Sequence, residues 1–239
     1  MTTYIPLGWR CSTTVLCDKL GELPSFAFRG MYSKMEGVID CFEFNFKNYF
    51  PNPNDFILLN SNPETPHQEK LWVFCETLKN ASDNPQRIAF NNKFFCWFYY
   101  DLRNVEILQN MRKRIEKMYD YLSKTNDRVI FIRSVLDKKD IEIVNKFRNI
   151  INKTFPKLDW HILFLHDQHE NKNIAEPHVI HKNTYTFINA PTHPMRPDIA
   201  FDLIKDLGDF KNLTFDQDLP LIHQSTLKQK IFFKNANIT

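Results

Sequence analysis

At 239 residues the chain can bury most of the surface its unfolded form exposes, so no disulfide or metal staple is needed to hold a fold together. Its 31 Lys+Arg against 28 Asp+Glu leave a formal charge of only +3, too slight to point to nucleic acid as a partner. The longest apolar runs, such as "FFCWFYY" and "VIFI", are far shorter than the roughly 20 residues that span a bilayer, and the start lacks the basic and apolar regions of a secretory signal.

Five cysteines, Cys11, Cys17, Cys41, Cys75 and Cys96, are odd in number and form no CxxC. That pattern suits neither a disulfide framework nor a zinc ribbon, and it predicts reduced thiols in a soluble, cytoplasmic protein. Phe, Asn, Lys and Ile are abundant and have AT-rich codons, which points to a bacterial or viral genome; for a viral gene the compartment is the host cytoplasm.

In chain order, "TYIPL" predicts a first strand ending at Leu7, then a turn at Gly8 and a helix from Ser12 to about Leu20. Ser12 or Thr13 can cap that helix and Gly21 stops it. Val38, Ile39, Phe42, Phe46 and Phe50 recur at helical spacing and predict a helix running to Pro51. "PNPNDF" and "NSNPETPHQEK" read as turn-rich loops, and "RIAFNNKFFCWFYY" as a hairpin around Asn91-Asn92.

From residue 105 the pattern becomes regular. "VEILQNMRKRIEKMYDYLSK" predicts a long amphipathic helix with Ile107, Met111, Ile115, Met118 and Leu122 on one side. "DRVIFIRS" then reads as a buried strand, "KKDIEIVNKFRNIINKTF" as a helix and "DWHILFLHD" as a second strand. "TYTFINA" is a candidate third strand, and "RPDIAFDLIKDLG" a helix ended by Gly208. This alternation predicts an α/β protein, a single domain with a mostly parallel, Rossmann-like sheet flanked by helices. The domain is expected over residues 1–215, with 216–239 a tail or its last element.

Ligands in such sheets sit beyond the carboxyl ends of the strands. Gly8 to Cys11, Arg133-Ser134, His166-Asp167 and Asn189 to His193 should therefore line one rim. A thiolate of Cys11 at a helix start is favoured by unpaired backbone N–H groups and the helix dipole, with Arg10 adding positive charge. The same N–H groups, with Ser12 beside them, could hold an oxyanion; the plain alternative is that Cys11 is a small buried hydrophobe. Arg133, closing the "VIFIR" strand, suits a phosphate or carboxylate, or else an internal salt bridge. His161, His166, Asp167 and His169 are not expected to bind a metal, because strand alternation separates His161 from His166. Arg112, Lys113, Arg114 and Lys117 read as a solvated helix face.

"PLGWRCSTTVLCDKLGELPSFAFRGMYSKMEGVIDCFEFNFKNYF" resembles the opening of a bacterial and viral domain family of unknown function, labelled papain-like cysteine peptidases. That opening is a strand, Leu-Gly, two variable residues and Cys, then a Pro-Phe-Asp-Trp-like segment and a Phe-rich helix ending in paired aromatics. Leu7, Gly8 and Cys11 match the first part, and Phe46, Tyr49 and Phe50 the last. "MRKRIEKMYDYLSKTNDRVIFIRS" is similar to the family's basic helix and Phe-Ile-Arg strand, so the resemblance spans roughly residues 4 to 135. It implies a site near Cys11.

Two departures from the family pattern bear on chemistry. Phe28-Arg29-Gly30 stands for Phe-Asp-Trp, and Tyr100-Asp101 for a His-Asp pair. A tyrosine with an ordinary pKa near ~10 is a poor base at neutral pH, whereas Asp101 keeps the acid of that pair. A replacement base is available in "NAPTHPMRPDIAFDLIKDL", where His193 precedes a helix and Asp198 follows five residues on. That layout resembles the C-terminal catalytic loop of SGNH-type hydrolases.

The expected function is a cysteine-nucleophile hydrolase or acyl-transferring enzyme, with Cys11 attacking a carbonyl and His193 as base, on a small-molecule, peptide or glycan substrate without a cofactor. An alternative is a metal-independent glycosyltransferase using a nucleotide sugar in surface-glycan synthesis. There Arg10, Arg29 or Arg133 would hold the diphosphate near the helix start, and His166-Asp167 a ribose or substrate hydroxyl. A third is a catalytically inactive binding protein.

Overall fold

The computed structural model describes residues 2–8, 11–21, 25–54, 56–59, 87–91, 96–98, 100–135, 143–167, 178–182 and 185–190. In chain order these form Thr2–Pro6 (β1), Cys11–Leu20 (α1), Tyr32–Ser33 (β2), Met35–Glu43 (α2), Phe56–Leu59 (β3), Arg87–Asn91 (β4) and Cys96–Phe98 (β5). Val105–Lys124 (α3), Arg128–Val135 (β6), Val144–Thr154 (α4), Trp160–Asp167 (β7), His178–Lys182 (β8) and Tyr185–Ala190 (β9) follow.

The strands fall into two sheets. One has the order β1-β6-β7-β9-β8; β1, β6, β7 and β9 run parallel, and β8 pairs antiparallel with β9. The other has the order β2-β5-β4-β3 and is antiparallel throughout. Beyond the second sheet, which was not expected, an α/β chain with the expected mostly parallel sheet is present. The helix–strand alternation that suggested it is confined to the second half of the chain, and the second sheet is built from short strands of the first half. β4 and β5 pair antiparallel as a hairpin of the expected segment, but Asn91 lies opposite Trp97 within the strand and not in a turn at Asn91-Asn92, whereas β3 arises next to residues read as a turn-rich loop.

Local sequence explains the main elements. β6 and β7 are nearly continuous apolar runs because both faces of a parallel strand are covered; Val129 to Ile132 and Ile162 to Phe164 are fully buried. Asn104 caps α3, its side chain accepting from the N–H groups of Glu106 at 2.9 Å and Ile107 at 3.4 Å. Met111, Met118 and Leu122 form the buried stripe of α3, and Val144, Phe147 and Ile151 that of α4.

The helix expected to reach Pro51 stops at Glu43. Asn45 and Phe46 adopt positive φ, 50° and 59°, and the Phe46 N–H returns to the Cys41 carbonyl at 2.7 Å, which is a Schellman-type stop. The turn then folds Phe46 and Tyr49 back into the core, so apolar spacing persists where the helix does not. Phe42 lies at the centre of this core, with its ring 5.7–6.4 Å from those of Phe28, Phe46, Tyr119, Phe131, Phe147 and Phe155. Ile5 of β1, Phe90 of β4 and Phe98 of β5 belong to the same apolar cluster.

Candidate active site

The site begins where β1 ends. Beyond Pro6, the Leu7 N–H makes one more rung to the Ile132 carbonyl at 2.8 Å. The Leu7 carbonyl then leaves the ladder and accepts two side-chain donors, Ser33 Oγ at 2.9 Å and Arg133 Nη1 at 3.0 Å. Arg133 Nη1 also donates to Ser33 Oγ at 3.1 Å, which closes a three-membered ring. Gly8 turns at φ 81°, and a β-carbon there would stand 2.3 Å from Ser33 Oγ and 3.2 Å from the Met31 carbonyl oxygen. Only glycine fits both the backbone angle and the space.

From the other side, Thr13 Oγ1 of α1 donates to the Gly8 carbonyl at 3.4 Å. Residues 9 and 10, and so Arg10, lie outside the described residues; α1 opens at Cys11, with Ser12 second. The first N–H groups of a helix have no partner within it, so Cys11 stands where a negative charge is favoured. Further along α1, Thr14 Oγ1 accepts from the Gly30 N–H at 2.8 Å, joining the helix to the turn at residues 27–30. The Tyr49 hydroxyl holds that turn by donating to the Ala27 carbonyl at 2.6 Å.

Cys17, on the same helix, is a different kind of cysteine. It is fully buried and unbonded to any other cysteine. Burial, helped by the neighbouring Asp18 carboxylate, pushes its thiol pKa well above the ordinary value, so it is an inert packing group.

The parallel register gathers the strand ends. Pro6 lies opposite Ile132, Val135 opposite His166, His166 opposite Asn189, and Asp167 opposite Ala190. The Gly8 turn, Arg133, His166-Asp167 and the exit of β9 thus share one sheet edge, the place where open α/β sheets bind ligands. His193 lies outside the described residues.

Two other candidates, Arg29 and Asp101, are paired with neighbouring side chains. Arg29 makes a bidentate pair with Asp18, at 2.7 and 2.8 Å. Asp101 accepts from Arg103 Nε at 2.8 Å, Nη2 at 2.7 Å and the backbone N–H at 3.0 Å, and the Arg103 guanidinium lies 4.9 Å from the centre of the Phe56 ring. That hydrogen bonding raises the Arg103 pKa. Tyr100 is partly exposed, its hydroxyl 3.8 Å from the place of a β-carbon on Gly30. Arg133 is wholly buried. Ser33, in a two-residue strand with no periodicity to mark it, went unnoticed in the sequence; the Leu-Gly turn was its only signal.

Among the described residues no three His, Cys, Asp or Glu side chains converge as metal ligands, and no helix is long and apolar enough to cross a membrane. No curated protein and no solved structure matches the chain. A family model does, over residues 2–170, a span that holds β1, the Gly8 turn, α1, the antiparallel sheet and the strands β6 and β7. Well over half of the sequence being matched, the chain belongs to the family described as "putative papain-like cysteine peptidase (DUF1796)".

Proposed function

We propose that the protein is a cysteine hydrolase in which Cys11 is the nucleophile. The hydrolase class follows from the family. The observation that supports Cys11 is its position as first residue of α1, after a glycine turn at the carboxyl edge of the parallel strands. There the thiolate attacks a substrate carbonyl carbon, and the N–H groups of residues 12 and 13 take the developing oxyanion. Collapse of the adduct expels the leaving group, which receives a proton from the base in its protonated form. Water activated by the same base then hydrolyses the thioester and regenerates the thiol.

His193 is the proposed base. β9 is three strand spacings from β1, about 14 Å, and three extended residues past Ala190 reach about 10 Å. The loop must therefore lean back over the sheet for His193 to meet Cys11. His166, two strands from β1, is the nearer histidine by register and the alternative base. The reading includes a single Rossmann-like domain to residue 215, supported by one apolar cluster shared by the two sheets, and a cytoplasmic acyl-bearing small-molecule, peptide or glycan substrate. No observation favours the glycosyltransferase: Arg29 is paired with Asp18, and Arg133 is turned to the Leu7 carbonyl and Ser33.

The test is peptide-resolved alkylation of the folded chain with iodoacetamide at neutral pH. Cys11 should react faster than an unperturbed thiol while Cys17 stays unmodified, and Cys11→Ala should abolish hydrolysis of thioester and ester substrates. Full activity in Cys11→Ala would sink the reading.

A further inference from the structure

We propose that Arg133 is a positioning residue for Cys11: with Ser33 it fixes the Leu7–Gly8 turn from which the chain enters α1. The inference rests on the reading of Cys11 as nucleophile. A guanidinium in a fully buried strand position loses its hydration, a loss that only hydrogen bonds within the protein offset. A residue that merely filled space there would be apolar, as Ile130 and Ile132 beside it are. The bonds that Arg133 makes at this end of β6 reach two other parts of the chain, 126 and 100 residues away in sequence.

Those bonds converge on one turn. Arg133 and Ser33 both donate to the Leu7 carbonyl, at 3.0 and 2.9 Å. Ser33 Oγ in turn fills the space that Gly8 leaves for it. The Leu7 carbonyl lies past the last ladder rung of β1, so without these donors it would have no strand partner to define its direction. Thr13 clasps the Gly8 carbonyl from the helix side. The direction of the chain at residues 7 and 8 and the start of α1 are therefore set together. A first helical turn that frays no longer offers unpaired N–H groups to a negative charge at residue 11.

The experiment uses the full chain as Ser33→Ala, Arg133→Lys and, as a control, Lys146→Ala, which removes only the exposed Lys146–Glu43 ion pair. Thermal melting shows which variants are folded; the readout is the Cys11 alkylation rate by iodoacetamide across about pH 6 to 9. Folded Ser33→Ala and Arg133→Lys should alkylate Cys11 roughly tenfold more slowly at neutral pH, with the profile displaced upward by about one unit, while the control keeps the wild-type profile. Should Arg133→Lys fail to fold, Ser33→Ala, which deletes one hydroxyl, decides alone. A wild-type profile in either folded variant overturns the positioning role and leaves the Cys11 reading standing. An ordinary thiol profile in the unsubstituted chain overturns both.

Discussion

A β-carbon at residue 8 would stand 2.3 Å from Ser33 Oγ, so Gly8 and Ser33 occupy one space between them. Gly8→Ala should destabilise the fold by roughly 2–4 kcal/mol, combining overpacking with the penalty of positive φ. Adding Ser33→Gly removes the hydroxymethyl group and should recover about 1–2 kcal/mol of that loss. The Met31 carbonyl and the φ of 81° remain, so recovery stays incomplete. Urea unfolding of the two single variants and the double variant measures the coupling; strict additivity would show that the two residues do not share the space.

Phe42 has the ring neighbours to act as the central packing residue, six of them drawn from the 27–30 turn, the 44–50 turn, α3, β6, α4 and Phe155 just past its end. Phe42→Ala should cost about 3–5 kcal/mol, enough to consume a large part of a typical domain's stability. Phe42→Leu, which keeps most of the volume, should cost about half as much or less. The midpoint of denaturant unfolding checks this, and a loss below about 1 kcal/mol for the alanine variant would contradict the central role.

The sequence made the second half legible because each element there has a strong period of its own. Met111, Met118 and Leu122 repeat along a helix with an asparagine cap, and β6 and β7 carry the apolar runs Val129 to Ile132 and Ile162 to Leu165. It misled at Phe46 and Phe50, where a turn returns aromatics to the same core and imitates helical spacing. Asn45, a residue that tolerates left-handed backbone, was the local sign of the stop. β2 and β3 are two and four residues long, too short for alternation to register. Around the site, Leu7-Gly8 and Cys11 were readable as a turn and a helix start. Arg133 suits a ligand or an internal salt bridge on sequence alone; the Leu7 carbonyl and Ser33 that it meets are brought close only by tertiary pairing, which no local pattern reports.

Asp101 is held by Arg103 through both carboxylate oxygens. The pair is partly exposed, so Asp101→Asn should cost about 1 kcal/mol or less in stability. With its oxygens directed at Arg103, Asp101 is not expected to orient a base, and hydrolysis and Cys11 alkylation should stay within about twofold of wild type, against the 100-fold or greater loss expected for a catalytic acid or base. A kinetic comparison of Asp101→Asn with wild type decides; a loss of about 100-fold would restore Asp101 to the catalytic machinery.

Alkaline stability should report on two weak acids, the buried Cys17 thiol and the half-buried Tyr119 hydroxyl. The Cys17 thiol is raised well above its ordinary value of 9.0, first by burial and then by Asp18; the Tyr119 hydroxyl is raised from 10.0 to about 12, first by burial and then by Cys41. In each case the folded state holds its proton where the unfolded state releases it. The stabilisation is therefore fully present below the unfolded pKa and is lost as pH rises through the window up to the folded pKa. Unfolding free energy should fall with pH from about pH 9 for Cys17, and Tyr119 should steepen the fall between about 10 and 12. Cys17→Ala, which lacks the titrating group, should lower stability at neutral pH by an amount typical of a small buried truncation and flatten the first part of the slope. Denaturant unfolding across this pH range measures both; an unchanged slope in Cys17→Ala would show that Cys17 is not the group that titrates.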